Sequence, residues 1–133
     1  MATRWPVATP IAGGYLVQWH NLASNDVCMP WPLTGSPDQN LDPPDASVMT
    51  DRCAQLYGGT MGTVNIEGSN AIATSLATFA TLHQVDGTTG LILTTTSPIQ
   101  QILEATYFTR PNPTSAASGT SVSVKFVMAG ERK

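Results

Sequence analysis

The chain has 133 residues, enough for one domain with a modest single core. Apolar residues make up 41% of it and charged residues only 11%, about half the charged share of an ordinary soluble domain, which excludes compositional disorder. Nine acidic and six basic residues give a formal charge of -3, and the basic residues are dispersed, which argues against a nucleic-acid binder because such proteins need clustered Lys and Arg to displace counterions from phosphates.

Residues 1–12 read as an arm. Pro6 and Pro10 remove backbone donors, so a regular central strand is not expected there. The opening stretch MATRWPVATP also lacks the apolar region of a secretory signal. Trp5, Val7 and Ile11 are nevertheless apolar, and the arm is expected to bury them on its own domain or on a neighbouring subunit. The remainder, residues 13–133, reads as a single β domain. GGYLVQWHNL opens on two turn glycines and continues as a strand with Tyr15, Val17 and Trp19 on one face, Trp19 being the core tryptophan.

Residues 23–44 form an irregular loop punctuated by Pro30, Pro32, Pro37, Pro43 and Pro44. Met29, Trp31 and Leu33 within it are expected to cover a sheet edge or a subunit seam. With Trp5, Val7 and Ile11 they make up the candidate interface, against the plainer alternative that Trp5 and Trp31 close the domain's own core. Residues 48–57 read as a strand in preference to a helix, because the β-rich segments around them need partners. TVNIEGSN is a strand with Val64 and Ile66 inward, Asn65 and Glu67 outward, and Gly68-Ser69-Asn70 as its closing turn.

Residues 71–85 carry both a helical apolar stripe and strand-favouring threonines, with ATFATLHQV resembling a short strand ahead of an Asp86-Gly87 turn. GLILTTT is a further strand. SPIQQIL predicts one or two helical turns, with Ser97 as the cap and Pro98 in the first turn. The last strand is the clearest: Val122, Val124, Phe126 and Met128 alternate with Ser121, Ser123, Lys125 and Val127. The fold class is therefore all-β. Six to eight antiparallel strands satisfy their burial either as two sheets packed face to face, in a jelly-roll or immunoglobulin-like sandwich, or as a closed barrel.

The residues for chemistry are sparse. His20, His83, Cys28 and Cys53 match no compact zinc spacing, and the two cysteines are either one disulfide or free thiols. His20 and His83 could pair with Asp26 or Asp86 and a serine, yet no serine sits in a nucleophile elbow. Asp38, Asp42, Asp45 and Asp51 lack a calcium-loop pattern and read as turn caps. Glu67 paired with Asp86 or Glu104 would be the carboxylate couple of a glycosidase, with nothing in the spacing to favour it. No apolar run approaches the roughly 20 residues that span a bilayer. The residues thus indicate no enzyme, no cofactor, no metal, no nucleic acid and no membrane.

The order of motifs carries a resemblance. Trp19, Asn21 and Leu22, with Asn25-Asp26 beyond them, then Thr60-Met61-Gly62, then Glu67-Gly68-Ser69-Asn70, then Arg110-Pro111 and a final strand, resemble small structural proteins of tailed bacteriophages. Met61 replaces an aromatic of that pattern and Ala71 replaces an aspartate. The resemblance implies a β-sandwich that decorates or cements a capsid, with the major capsid protein as partner. It further implies a homo-oligomer, a trimer being one form, on the head surface of a virion assembled in the host cytoplasm. A tail, neck or fibre component is the nearest alternative, and a carbohydrate-binding or host-adhesion module is the alternative from another class.

Overall fold

The computed structural model describes residues 2–32, 48–70, 78–115 and 117–128. Within them the chain forms β1 (Thr3–Arg4), β2 (Val7–Ile11), β3 (Gly14–Ala23), β4 (Val27–Cys28), β5 (Asp51–Tyr57), β6 (Thr63–Ser69), β7 (Ala80–Thr81), β8 (Ile92–Leu93), β9 (Ile99–Ile102), β10 (Phe108–Ser115) and β11 (Ser118–Val127). The protein is all-β, with several antiparallel sheets. A five-stranded sheet runs β2-β3-β11-β5-β9, a four-stranded sheet runs β10-β6-β7 with β8 also on β6, and β1 pairs in parallel with β4.

Strand alternation decides what is buried. In β3, Val17 and Trp19 turn inward and Tyr15 packs against them; in β11, Val122, Val124 and Phe126 do the same. Val64 and Ile66 of β6 join them, with Leu82, Leu91 and Leu93, so both sheets contribute to one core cluster. The expected faces of β3 and β6 are therefore as the alternation predicted, but the turn expected at Gly68-Ser69-Asn70 is not there: Gly68 and Ser69 continue β6, because Thr109 and Phe108 of β10 supply partners for them. The alternation of β11 holds only to Phe126, because Val127 is buried and Met128 is exposed. Gly14 is required where it stands: a Cβ there would lie 1.7 Å from the Phe126 carbonyl oxygen.

Two further expectations are corrected, and the arm is given its place. The helix expected in SPIQQIL is strand β9, which extends the five-stranded sheet by pairing with β5. The apolar residues Ile99 and Ile102 fit a helical spacing equally well, and the open edge of β5 decides between them. The arm is a docked element: Val7–Ile11 pairs with β3 along its whole length. It is an edge strand, the one strand position that tolerates Pro10. Finally, Trp31 is 2% exposed and lies in the core. Its backbone pairs with Thr109 of β10, and its ring lies 4.7 Å from that of Phe126 and 5.3 Å from that of Tyr15. The core needs a large ring here because Trp31 bridges the faces of the two sheets. Residues 33–47, including Leu33 and three of the clustered aspartates, lie outside the described residues, as do residues 71–77.

Candidate interaction surface

The outward residues of the five-stranded sheet line up in transverse rows fixed by the strand registers. One row is Val7, Gln18, Ser123, Gln55 and Ile99; the next is Thr9, Leu16, Lys125, Cys53 and Gln101. Lys125 is the only charge in these two rows. Val7 is 54% exposed at one end and Ile99 is 57% exposed at the other. Between them a cavity of about 270 Å³ is lined by Leu16, Cys53, Gln55, Ile99, Ser123 and Lys125. These two rows carry one charge between apolar ends, with Asp51 at the same outward parity in the adjoining row, and a face this low in charge is chemistry suited to contact with another protein, whose interface core is depleted of charge.

Of the six candidate interface residues, the structure brings Val7 and Ile11 onto this face, and Trp5 is 53% exposed just before β2. Met29 does not join them. It is partly buried, and its carbonyl accepts a hydrogen bond from the Trp19 indole Nε1 at 2.9 Å. Trp31 is core. Gln18, Gln55 and Ile99 went unrecognised, although alternation in their strands already placed Gln18 opposite the inward Val17 and Trp19.

A second concavity separates β4 from β10. Asn25 N donates to Pro113 O at 3.1 Å, and Trp31 exchanges both backbone bonds with Thr109 at 2.9 and 3.0 Å. Between these ties β10 presents Pro111, and neither Pro111 nor Pro113 has an N–H for a neighbouring strand. Residues 26–30 therefore stand off β10, leaving a cavity of about 410 Å³ lined in part by Asn25, Asp26, Cys28, Arg110 and Asn112.

The charges around this cavity are structurally engaged. Arg110 Nε donates to Glu67 Oε1 at 3.0 Å, directly across the β6–β10 ladder, and its guanidinium lies 3.9 Å from the Phe79 ring centroid. Asn112 Nδ2 donates to Glu67 Oε2 at 3.0 Å. Glu67 is thus the hub of a cross-strand polar cluster. Two of the resembling motifs, Glu67 and Arg110, are each other's partners, and Asn70 Oδ1 accepts from Tyr107 N at 2.8 Å.

Asp26 is buried and accepts from Ala2 N at 2.9 Å, Arg4 Nε at 2.9 Å and Ala23 N at 3.0 Å. Burial pushes its carboxyl up, but the Ala23 N–H, Arg4 and the Ala2 N–H together outweigh it and hold the pKa at about 2 against an ordinary 3.8. The group is protonated more readily in the unfolded chain. Its contribution is therefore complete above about pH 4 and is lost as pH falls toward about 2. Melting temperature measured down this range is expected to fall more shallowly for Asp26→Asn than for the native protein; equal slopes would remove Asp26 from the acid transition.

The remaining candidates are kept apart. Glu104 holds His83 twice, accepting from its backbone N at 2.7 Å and from its Nδ1. Burial raises the Glu104 pKa, but these bonds from His83 prevail and lower it. Asp86 caps its own turn by accepting from Thr88 N at 2.9 Å and Thr89 N at 2.8 Å. His20 Nδ1 lies 3.4 Å from Ser121 Oγ. The imagined couples of Glu67 with Asp86 or Glu104, and of His83 with Asp86, do not appear in these hydrogen bonds. Neither cysteine is in a disulfide; burial pushes the Cys28 thiol up to about 12, which keeps it protonated and unreactive. Among the described residues, no three His, Cys, Asp or Glu side chains are grouped to hold a metal ion. Compared with known proteins, the chain matches no family model, no curated protein and no solved structure.

Proposed function

We propose that the protein is a structural component of a bacteriophage virion, a capsid decoration or cement protein that stabilises the head shell by bridging capsomers. In this reading the two larger sheets form a β-sandwich of jelly-roll or immunoglobulin-like kind, and the major capsid protein is the partner. The observation that carries it is the outer face of the five-stranded sheet, from Val7 to Ile99, with Trp5 beside it. A cement protein acts by adding buried area across boundaries, and a sheet face with few charges to desolvate does so at little cost. Because such a protein binds assembled lattice more tightly than free subunits, it stabilises the shell by linkage. The ordered sequence motifs support the same reading, since their residues serve as framework: Trp19 and Leu22 in the core, Glu67 with Arg110 between strands.

Cryo-electron microscopy of the native particle tests the reading directly. Hundreds of copies on the head are expected; a few copies or a dozen would reassign the protein to the tail, neck or fibre. At the residue level, Val7→Glu puts a charge at the margin of the face without touching the core. It is expected to weaken binding to isolated shells by about tenfold or more, equivalent to about 1.4 kcal/mol. Unchanged occupancy and unchanged particle heat stability would remove this face from the contact. The cavity between β4 and β10, lined by Asn25, Arg110 and Asn112, favours the carbohydrate-binding alternative. Binding to a glycan array with no binding to shells would select it.

A further inference from the structure

The cavity between β4 and β10 is a gap in backbone pairing that is closed at both ends, by the bonds from Asn25 to Pro113 and between Trp31 and Thr109. Between these ties residues 26–30 face only residues 110–112, so the two backbones cannot stay in register. Val27 N and Met29 N donate toward β1, to Ala2 O and Arg4 O, each at 2.8 Å. Alternation therefore turns the backbone N–H and C=O of Cys28 away from β1 and toward the gap. On the other side, Ile66 is opposite Pro111 and bonds Leu82 and Leu91 with its own backbone groups. The Pro111 carbonyl thus points away from β6 and also into the gap. Backbone groups left there without a strand partner call for a polar occupant.

The side chains at the rim are held in place with hydrogen-bonding groups left over. Arg110 is fixed by its Nε on Glu67 at 3.0 Å and by the Phe79 ring at 3.9 Å, and among the described residues nothing meets its terminal nitrogens. Asn112 is fixed by its own bond to Glu67, which leaves its Oδ1 open as an acceptor. Asn25, held by the Pro113 bond at a φ of 68°, brings an exposed amide with no partner among the described residues. Val27, 46% exposed, and Pro111 add apolar surface to the lining. The formal charges cancel, since Arg110 is paired with Glu67 and Arg4 with Asp26. The site therefore offers directed hydrogen bonds without a net field that would select an ion.

We infer that this cavity is a binding site for a neutral sugar ring. A pyranose presents adjacent hydroxyls, each both donor and acceptor, around an apolar C–H face. The gap supplies donors in Arg110 and the Cys28 N–H, acceptors in Asn112 Oδ1 and the Pro111 carbonyl, and both in the Asn25 amide. Two adjacent hydroxyls match the planar fork of Arg110, and the C–H face rests on Val27. A volume of about 410 Å³ lies within the roughly 300–1,000 Å³ of small-molecule sites. The closed ends leave no room for an added strand, which excludes an extended peptide. With so little apolar surface, affinity for a single sugar is expected near about 1 mM or weaker. The inference rests on the carbohydrate-binding reading of this cavity and adds its ligand class and contacts. None of its residues belongs to the face from Val7 to Ile99, so a sugar here leaves that face free.

Amide-detected NMR titration of the full chain tests this with methyl glucoside, methyl galactoside, methyl mannoside and N-acetylglucosamine, each to about 50 mM. At least one is expected to shift the backbone amides of residues 25–28, 110 and 112 saturably, and glucuronate is expected to bind no tighter than the glucoside. Asn25→Gly removes the rim amide while keeping a residue that accepts a positive φ, so its melting temperature is expected to be unchanged. Arg110→Lys keeps a charge opposite Glu67 but removes the fork. Each variant is expected to weaken binding by about fivefold or more, the worth of about one hydrogen bond. No saturable shift with any of these sugars, or tighter binding of glucuronate, would overturn the inference. Binding that survives in both variants, or shifts confined to other residues, would overturn this site while leaving carbohydrate binding by the protein in place.

Discussion

Replacing Arg52 with alanine is expected to destabilise the protein by about 3–5 kcal/mol, read as a shift in urea unfolding midpoint at constant slope. Arg52 is 0% exposed, at an inward position of β5 between Phe126 of β11 and Ile102 of β9. Its Nε donates to Met49 O at 2.8 Å, one terminal nitrogen to Thr106 O at 2.7 Å and the other to Thr109 Oγ1 at 3.2 Å. The guanidinium also lies 4.9 Å from the Phe126 ring centroid. Burial lowers its pKa to about 10, which still leaves it charged near neutrality. One side chain therefore ties β5 to the segment entering it and to the strand of the other sheet. Alanine would strand two carbonyl oxygens in the core and leave a cavity as well. Lysine is expected to recover less than half of the loss, because a single ammonium cannot reproduce a planar fork aimed at three acceptors. A cost below about 1 kcal/mol for alanine would show that water satisfies these acceptors and that the fork is dispensable.

Trp31→Ala is expected to cost about 3–5 kcal/mol, the usual range for truncating a buried tryptophan. The ring fills the space between Tyr15 and Phe126 while its backbone holds β10 through Thr109. Its loss removes the ring contacts with β3 and β11 of the five-stranded sheet, while the backbone tie to β10 is kept. Phenylalanine is expected to recover part of the loss by restoring the tilted ring contact with Phe126. The same measurement on Trp5→Ala, whose side chain is half exposed, is expected to move stability by less than about 1 kcal/mol. On the proposed function, its effect would fall on binding to shells instead. Equal losses at Trp5 and Trp31 would contradict the assignment of one to the surface and the other to the core.

The comparison of Trp5 with Trp31 also shows what a linear reading resolves. Both lie near prolines and outside long alternating runs, so composition gives them the same description. Only Trp31 meets a strand whose edge accepts its backbone, and that strand, β10, is distant in sequence. Arg52 is a different case. Its position shares parity with Ala54 and Leu56, so the pattern pointed inward, but the acceptors that make an inward arginine tolerable come from residues 49, 106 and 109. Residues 99–102 fit a helix or a strand by spacing, and the free edge of β5 settled the matter.

What the amino-acid sequence determined by itself was local and periodic. It set the all-β class, the inward faces of β3, β6 and most of β11, and the turns at Gly13 and at Asp86-Gly87. These follow from side-chain alternation and backbone sterics, which act between near neighbours. The tertiary structure alone decided which tryptophan is core, that Glu67 answers Arg110, and how the outer face spans five strands. Each of these depends on register between segments far apart in the chain, and register is set by burial and hydrogen bonding that no single segment contains.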